Sequence, residues 1–143
     1  IEQLQFNGDD DLGSGKVRLN FNHPCKELVW VCKNTDTPKT FEETGIVKLQ
    51  LNGHDRFSAR SAKYFSRVQP YQHHANVPSE EINVYSFGLK PAEHQPSGTC
   101  NMSRIDNATL HISGSDADNV SVYAVNYNVL RIMSGMGGLA YSN

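Results

Sequence analysis

The chain has 143 residues, a formal net charge of −2 and 20% charged residues. A chain of this length buries about 70% of the surface that it exposes when unfolded, which predicts one domain over residues 1–143 that needs no disulfide or metal for stability. The balanced charge excludes the basic stripe of a nucleic-acid binder or a membrane-surface anchor. No apolar run approaches the roughly 18 residues of a membrane-spanning helix.

The cysteine count and the first residues limit the setting further. Cys25, Cys32 and Cys100 are an odd number and lack the dense spacing of a small secreted scaffold, so we expect three free thiols. The sequence starts at Ile1, without Met, inside an alternating run. We therefore expect this chain to be the downstream part of something longer.

The residue pattern in the first half of the chain predicts β-strands. "IEQLQF" and "KVRLNF" alternate apolar and polar residues, and the second run places Val17, Leu19 and Phe21 on one face. The composition of "NGDDDLGSG", between them, predicts a turn. The continuous apolar run "ELVWVC" is typical of a strand buried on both faces, and "GIVKLQLNG" alternates again.

One segment departs from the strand period. In "HDRFSARSAKYFSRVQP", Asp55 is a possible helix cap and Pro70 a possible end, which predicts one short helix near residues 55–68 in a long loop. The later runs "INVYSFGL", "ATLHIS" and "NVSVYAVNYNVLRIM" are again rich in β-branched and aromatic residues. About seven antiparallel strands therefore predict a β-sandwich or barrel. The residues expected inside are Leu19, Phe21, Val29, Trp30, Val31, Leu49, Leu51, Val84, Tyr85, Phe87, Leu110, Ile112, Val122, Tyr123, Val125 and Leu130.

Histidines and cysteines raise the possibility of a metal site. His23, Cys25 and Cys32 lie close in sequence, but they lack the second pair of ligands that structural zinc usually draws on. The steps "HD" at 54–55 and "HH" at 73–74 resemble part of a cupin or iron-oxygenase triad, yet neighbours on a strand point to opposite faces. We therefore expect no metal or cofactor site here. The further potential ligands are His94 and Cys100.

Three other patterns suggest chemistry. Cys100 with His94 or His111 and Asp106 contains the residue types of a nucleophilic site, but "GTCNMS" has no nucleophile-elbow sequence. The glycine-rich "SGMGGLAYSN" lacks the Lys-Ser/Thr step and the helix of a phosphate-binding loop. "GDDDLG" at residues 8–13 is the only acidic run that could begin a lectin-like calcium site, and a solvated turn is the simpler interpretation. We expect no catalytic residues.

Three sequons are potential glycosylation acceptors. They begin at Asn101 ("NMS"), Asn107 ("NAT") and Asn119 ("NVS").

Longer blocks of the sequence are recognisable. "LNGHDRF", "VQPYQHH", "INVYSFGLKPAEHQPSGTCNMSRIDNATL" and "NYNVLRIMSGMGGLAYSN" closely resemble the C-terminal part of the major capsid proteins of nucleocytoplasmic large DNA viruses, and "IEQLQF" through "LNFNHPCKELVWV" fits the same family. The resemblance covers essentially the whole chain.

The resemblance implies a structural protein, not an enzyme. It implies two consecutive jelly rolls, of which this chain would be most of the second, apparently without its first strand. Three subunits would form a pseudo-hexagonal capsomer that contacts neighbouring capsomers and minor capsid proteins, without direct nucleic-acid contact or a small-molecule substrate. The implied location is the virion capsid, assembled in the host cytoplasm. A lectin-like carbohydrate-binding jelly roll and a cupin-type metalloenzyme remain as alternatives.

If the protein is structural, "LKPAEHQPSGTCNMSRIDNAT", residues 89–109, is a long connection that Pro91, Pro96 and Gly98 hold on a rigid, irregular path. Arg104 and Asp106, two residues apart, would pair or cap backbone groups and so fix the entry of the strand "ATLHIS".

Overall fold

The computed structural model describes residues 1–40 and 45–141, and these residues form two packed antiparallel sheets and a separate hairpin. The first sheet contains β1 (Glu2–Asp11), β3 (Pro24–Asn34), β4 (Thr37–Pro38), β8 (Ile82–Ser86), β9 (Cys100–Asn101) and β11 (Asn119–Tyr127). The second contains β2 (Lys16–Leu19), β5 (Ile46–Leu51), β6 (His54–Asp55), β7 (Arg60–Ser61) and β10 (Ala108–Ser113). The hairpin pairs β12 (Leu130–Met133) with β13 (Met136–Leu139).

The strand order confirms the predicted jelly roll. The first sheet runs β1-β11-β3-β8, and the second runs β2-β10-β5 with β6 and β7 along the outer edge of β5. The described strands thus fill four positions in each sheet, which together make the eight of a jelly roll. The sequence led us to expect that the opening strand is missing. In the structure, β1 lies at the edge of the first sheet and pairs with β11 from Glu2↔Tyr127 to Asp11↔Asn119. The acidic run predicted as a turn is part of β1, and the turn follows it.

The core lies between the two sheets and is built by the inward residues of each strand. In β3 the alternation sends Leu28, Trp30 and Cys32 inward, each at most 1% exposed. Among the residues predicted inside, these are confirmed as buried in the core: Leu19, Phe21, Trp30, Leu49, Leu110, Ile112 and Val122. Val84 is also buried, but on the outer side of the first sheet, beside Pro70 and His74. These are half-buried: Val29, Val31, Leu51, Tyr85, Phe87, Tyr123 and Val125. Leu130 is 49% exposed, so its prediction was wrong.

A short helix closes one end of the sandwich. It consists of a π-helical turn (Tyr64–Val68) followed by α1 (Gln69–His73), later in the chain than predicted. Asp55 does not cap it, since Asp55 lies in β6 opposite Gln50. Pro70 is the second residue of α1, which continues the π-helical turn because Val68 and Gln69 both have right-handed helical φ and ψ. Since proline has no backbone N–H, one carbonyl of the preceding turn lacks its usual helical donor. Neither of these helical segments, nor the 3₁₀ turn Met102–Arg104, has the length and hydrophobicity needed to span a membrane.

Candidate assembly surface

The outer face of the first sheet is apolar and only partly covered. Residues that are paired across antiparallel strands share a face. One row across the sheet is therefore Phe6, Tyr123, Val29 and Val84. We call the outward side chains Leu4, Phe6, Val29, Val31, Tyr123 and Val125 the apolar face.

The edge of the apolar face at β1 is the most exposed part. Leu4 is 64% exposed and Phe6 is 53% exposed. The Phe6 ring stacks on the Tyr123 ring with centroids 4.7 Å apart and planes 14° apart, which ties the exposed edge of the face to its middle. The apolar face therefore leaves apolar side chains in contact with water at the edge of the sheet, which is typical of an interaction surface.

Ion pairs fix both ends of β1 beside this face. At one end, the buried Lys26 ammonium pairs with Glu2 and lies 5.3 Å from the centroid of the Tyr127 ring. The hydrogen bond from Lys26 lowers the pKa of Glu2 below its ordinary value. Lys26 reaches this position from a β-bulge, where the register between β3 and β11 shifts.

At the other end of β1, Asp9 accepts a hydrogen bond from Ser121 Oγ at 2.5 Å and pairs with Lys33 Nζ at 3.0 Å. The Ser121 hydrogen bond, followed by that of Lys33, lowers the pKa of Asp9. The acidic run of the sequence therefore anchors the end of a strand through Asp9.

One carboxylate is buried within the face. Glu27 is 8% exposed, and its Oε2 lies 2.8 Å from His74 Nε2. His74 directly follows α1, so this contact ties the helix end across β3. His74, considered above as a ligand, here satisfies a buried carboxylate.

The outer face of the second sheet has the opposite character. His111 Nε2 lies 2.9 Å from Gln50 Oε1, and Lys48 Nζ lies 3.6 Å from Asp55 Oδ1. Partial burial, then Lys48 and Lys16, lower the pKa of His111. Polar and charged side chains of this kind are well solvated, so only the first sheet presents an apolar face. The outward polar residues of the second sheet are Lys16, Arg18, Lys48, Gln50, Thr109 and His111.

A second exposed apolar element follows β11. The glycine-rich stretch of the sequence forms β12 and β13, joined by Ser134 and Gly135 at φ +51° and +79°, as in a type I′ turn. We call residues 130–139 the terminal hairpin. Each of its residues is exposed. The large apolar side chains are Leu130, Ile132, Met133, Met136 and Leu139.

Comparison with known proteins identifies this arrangement. A family profile described as large eukaryotic DNA virus major capsid protein matches residues 1–138. The chain belongs to this capsid-protein family. The major capsid protein of Pyramimonas orientalis virus is 57% identical over all of this chain and 42% of that protein. That of Paramecium bursaria Chlorella virus 1 is 40% identical over all of this chain and 48% of that protein.

The solved structures agree on the fold. The crystal structure of PBCV-1 VP54, fitted into a reconstruction of the virophage Sputnik, superposes with a TM-score of 0.84 at 38% identity. The match covers 100% of this chain and 51% of that one. This capsid-protein chain thus spans about half the length of the relatives it matches. The match favours the capsid interpretation over a lectin-like module or a cupin.

The candidate zinc ligands of this capsid-protein chain do not converge. Cys25 and Cys32 are buried in the core, where burial raises the pKa of Cys32 to about 12 and that of Cys25 further. His23 is 7% exposed at φ +72°. His73 Nδ1 lies 3.1 Å from the Leu89 carbonyl oxygen. Within residues 1–40 and 45–141, no three His, Cys, Asp or Glu side chains are grouped to hold a metal.

The candidate nucleophilic site is also dispersed. Cys100 lies in β9 opposite Cys25, and burial raises its pKa. His111 is on the outer face of the second sheet, whereas the exposed His94 lies 3.6 Å from Glu2 at the edge of the first. Among the described residues, neither histidine is hydrogen-bonded to the Cys100 thiol as a general base would be.

Asn52, which the sequence reading missed, fixes the entry to β10. Its Oδ1 accepts hydrogen bonds from the backbone N–H groups of Asp106 (2.9 Å) and Asn107 (3.2 Å). This is the role that was expected of Arg104 and Asp106. The signal was the Asn-Gly step in "LNGHD", whose residues adopt φ +53° and +81°.

The three sequons lie in different settings. Asn101 is exposed, but its Oδ1 accepts hydrogen bonds from the Ser103 N–H and Oγ. Asn107 is exposed directly before β10, and Asn119 is half-buried at the start of β11. Asn101 and Asn107 are therefore the more accessible acceptors.

Proposed function

We propose that this chain is one domain, the C-terminal jelly roll of a major capsid protein about twice its length. Three copies of that protein form a pseudo-hexagonal capsomer, which contacts neighbouring capsomers and minor capsid proteins in the virion. The protein is structural, assembles in the host cytoplasm, and has no catalytic role, cofactor, small-molecule substrate or direct nucleic-acid contact.

The apolar face carries this proposal. A protein that works as a monomer rarely exposes a continuous apolar surface of this kind. Tyr123, Val125 and Val29 form its middle, and the exposed Leu4 and Phe6 extend it to the edge of the sheet. A neighbouring jelly roll of the capsomer, packed on this face, removes these side chains from water.

The difference between the two sheets supports a ring. If both outer faces were apolar, jelly rolls would stack without a defined end. Because the second sheet is polar on its outer side, the apolar face meets a different surface on its neighbour. Such a head-to-tail contact closes into a ring when its rotation is suitable.

The test uses the full-length capsid protein with Leu4→Ser and Phe6→Ser together. Both side chains are more than half exposed in the described chain, so the domain itself should lose little stability. Full burial of a Leu or Phe side chain that is otherwise exposed contributes about 1.5–3 kcal/mol. We expect the trimer to be lost in light scattering, and the pseudo-hexagonal outline to be lost in electron microscopy.

The matched control is Tyr71→Ser. Tyr71 is 79% exposed on α1 and is not one of the side chains of the apolar face, so its loss should leave the trimer intact. A trimer of unchanged stability in the double variant would contradict the proposed role of the face.

A further inference from the structure

The terminal hairpin lacks the support that a two-stranded sheet needs. An isolated hairpin is marginally stable in water, and three strands or a packed face are required. The described residues supply neither, since β12 and β13 pair only with each other. Ile132 is 69% exposed and Met136 is 75% exposed, on opposite faces of the hairpin. A further strand beside the hairpin would supply the missing support.

The hairpin leaves the sandwich at Asn128, where Ile1 also lies. The Asn128 N–H donates to the Ile1 carbonyl oxygen at 2.9 Å, and the Ile1 nitrogen donates to the Asn128 carbonyl oxygen at 2.8 Å. The Asn128 side chain donates to Gln3 Oε1 and to the Tyr141 carbonyl oxygen, and accepts from the Val129 N–H. This single residue holds together the start of β1 and both ends of the hairpin.

The hydrogen-bond alternation shows which edge of β12 is free. Ala140 N–H donates to the Val129 carbonyl oxygen at 2.8 Å, so Val129 faces β13. In an antiparallel pair, successive residues point their backbone groups to opposite sides. The N–H and C=O groups of Leu130 and Ile132 therefore face away from β13, toward the side on which Asn128 binds Ile1.

We infer that the residues directly before Ile1 in the full-length capsid protein form a third strand, antiparallel to β12, on this free edge. This inference rests on the proposed function, which places the rest of the protein upstream of Ile1. The Ile1–Asn128 pair sets the register. Leu130 pairs with the second residue before Ile1, and Ile132 pairs with the fourth.

The pairing constrains the upstream sequence. The second and fourth residues before Ile1 must donate N–H groups to β12, so neither is proline. Their side chains lie on the same side of the sheet as Leu130, Ile132 and Leu139, and apolar residues there extend that surface.

The first test is a disulfide in the full-length protein between Ile132→Cys and a cysteine at the fourth residue before Ile1. Cα atoms of such a pair are about 5.5 Å apart, which a disulfide spans. The matched control moves the second cysteine to the third residue before Ile1, which points to the other face. Under mild oxidation with copper phenanthroline, we expect a cross-link within one chain, at least ~10-fold more than in the control.

The second test needs no substitution. In hydrogen exchange of the unmodified full-length trimer, resolved to single amides, Leu130 and Ile132 should exchange at least ~100-fold more slowly than unpaired amides. The Arg131 and Met133 amides, paired within the hairpin, serve as the internal reference.

The outcomes separate this inference from the proposed function. A cross-link between subunits, equal yields in both registers, or fast exchange of Leu130 and Ile132 would each overturn the inference. If the trimer forms in these cases, the proposed function stands. A monomeric full-length protein would instead contradict the proposed function.

Discussion

Phe65 provides a direct test of how the helix stabilises the jelly roll. Its side chain is fully buried at the end of the sandwich, and its ring centroid lies 5.2 Å from that of Trp30, 5.4 Å from that of Phe57 and 5.1 Å from that of Tyr64. Phe65→Ala removes the ring from the centre of this aromatic cluster. Because the surrounding rings belong to different elements, they can close the cavity only in part.

A buried Phe→Ala change costs about 3–5 kcal/mol. The total stability of a domain is about 5–15 kcal/mol, so this substitution removes about a fifth of it or more. The melting temperature should fall by roughly 10 °C or more. Trp30 is the one tryptophan of the chain and contacts Phe65, so its fluorescence reports the urea unfolding of this region.

Tyr71→Ala is the control, since Tyr71 lies in α1 but is 79% exposed. It should change the free energy of unfolding by no more than about 0.5 kcal/mol. A cost below about 1.5 kcal/mol, with an unchanged slope of the unfolding free energy against urea concentration, would show that the packing of Phe65 does not stabilise the jelly roll.

Three further predictions concern charge, thiols and a turn. The folded pKa of Asp9 lies below its ordinary value of 3.8, so its contribution is present above that pH and lost as pH falls through the folded pKa. Asp9→Asn should therefore lose less unfolding free energy than the parent between about pH 5 and pH 3, and identical profiles would contradict this. At pH 8, an alkylating reagent followed by mass spectrometry should modify Cys100 at least ~10-fold faster than the buried Cys32, whereas equal rates would count against the packing of β3. Gly15→Ala places a Cβ 2.8 Å from a backbone oxygen, whereas Gly53→Ala, also at positive φ, meets nothing within 4 Å. In thermal unfolding, the first should cost at least ~1 kcal/mol more than the second, and equal costs would refute the clash.

The alternation of apolar residues predicted the sandwich well. In β2 the inward Val17 and Leu19 are buried, and the residues between them are exposed, as the period of two requires. A local pattern is sufficient there, because one face of the strand packs on the core and the other meets solvent.

The continuous run in β3 was harder to interpret. It was predicted to be buried on both faces, and its inward side chains are buried. Val29 and Val31, on the outward side, are only half-buried. The same holds for Tyr123 and Val125 in β11. An apolar pattern does not distinguish a side chain that is buried within its own domain from one that is buried only by a neighbouring domain or subunit.

The remaining errors arise from tertiary context. Leu130 continues the apolar pattern of β11, but it lies in β12, which pairs with β13 outside the two sheets of the sandwich, so Leu130 is exposed. The sequence predicted the helix too early in the chain, because Asp is a favoured N-cap residue. The pairing of Asp55 with Gln50 in a strand cannot be recognised from the neighbouring residues alone. The absence of a catalytic or metal site stays a prediction.

The Asn128 junction has a mechanical consequence. β1 and β11 are antiparallel and meet the hairpin at one point, so a pull that separates Ile1 from the hairpin would break their ladder one pair at a time. A load pressed onto the face of the sheet is instead shared by all of its strands at once. An assembly of such domains therefore resists compression across the sheet faces better than tension applied at Ile1 and the hairpin.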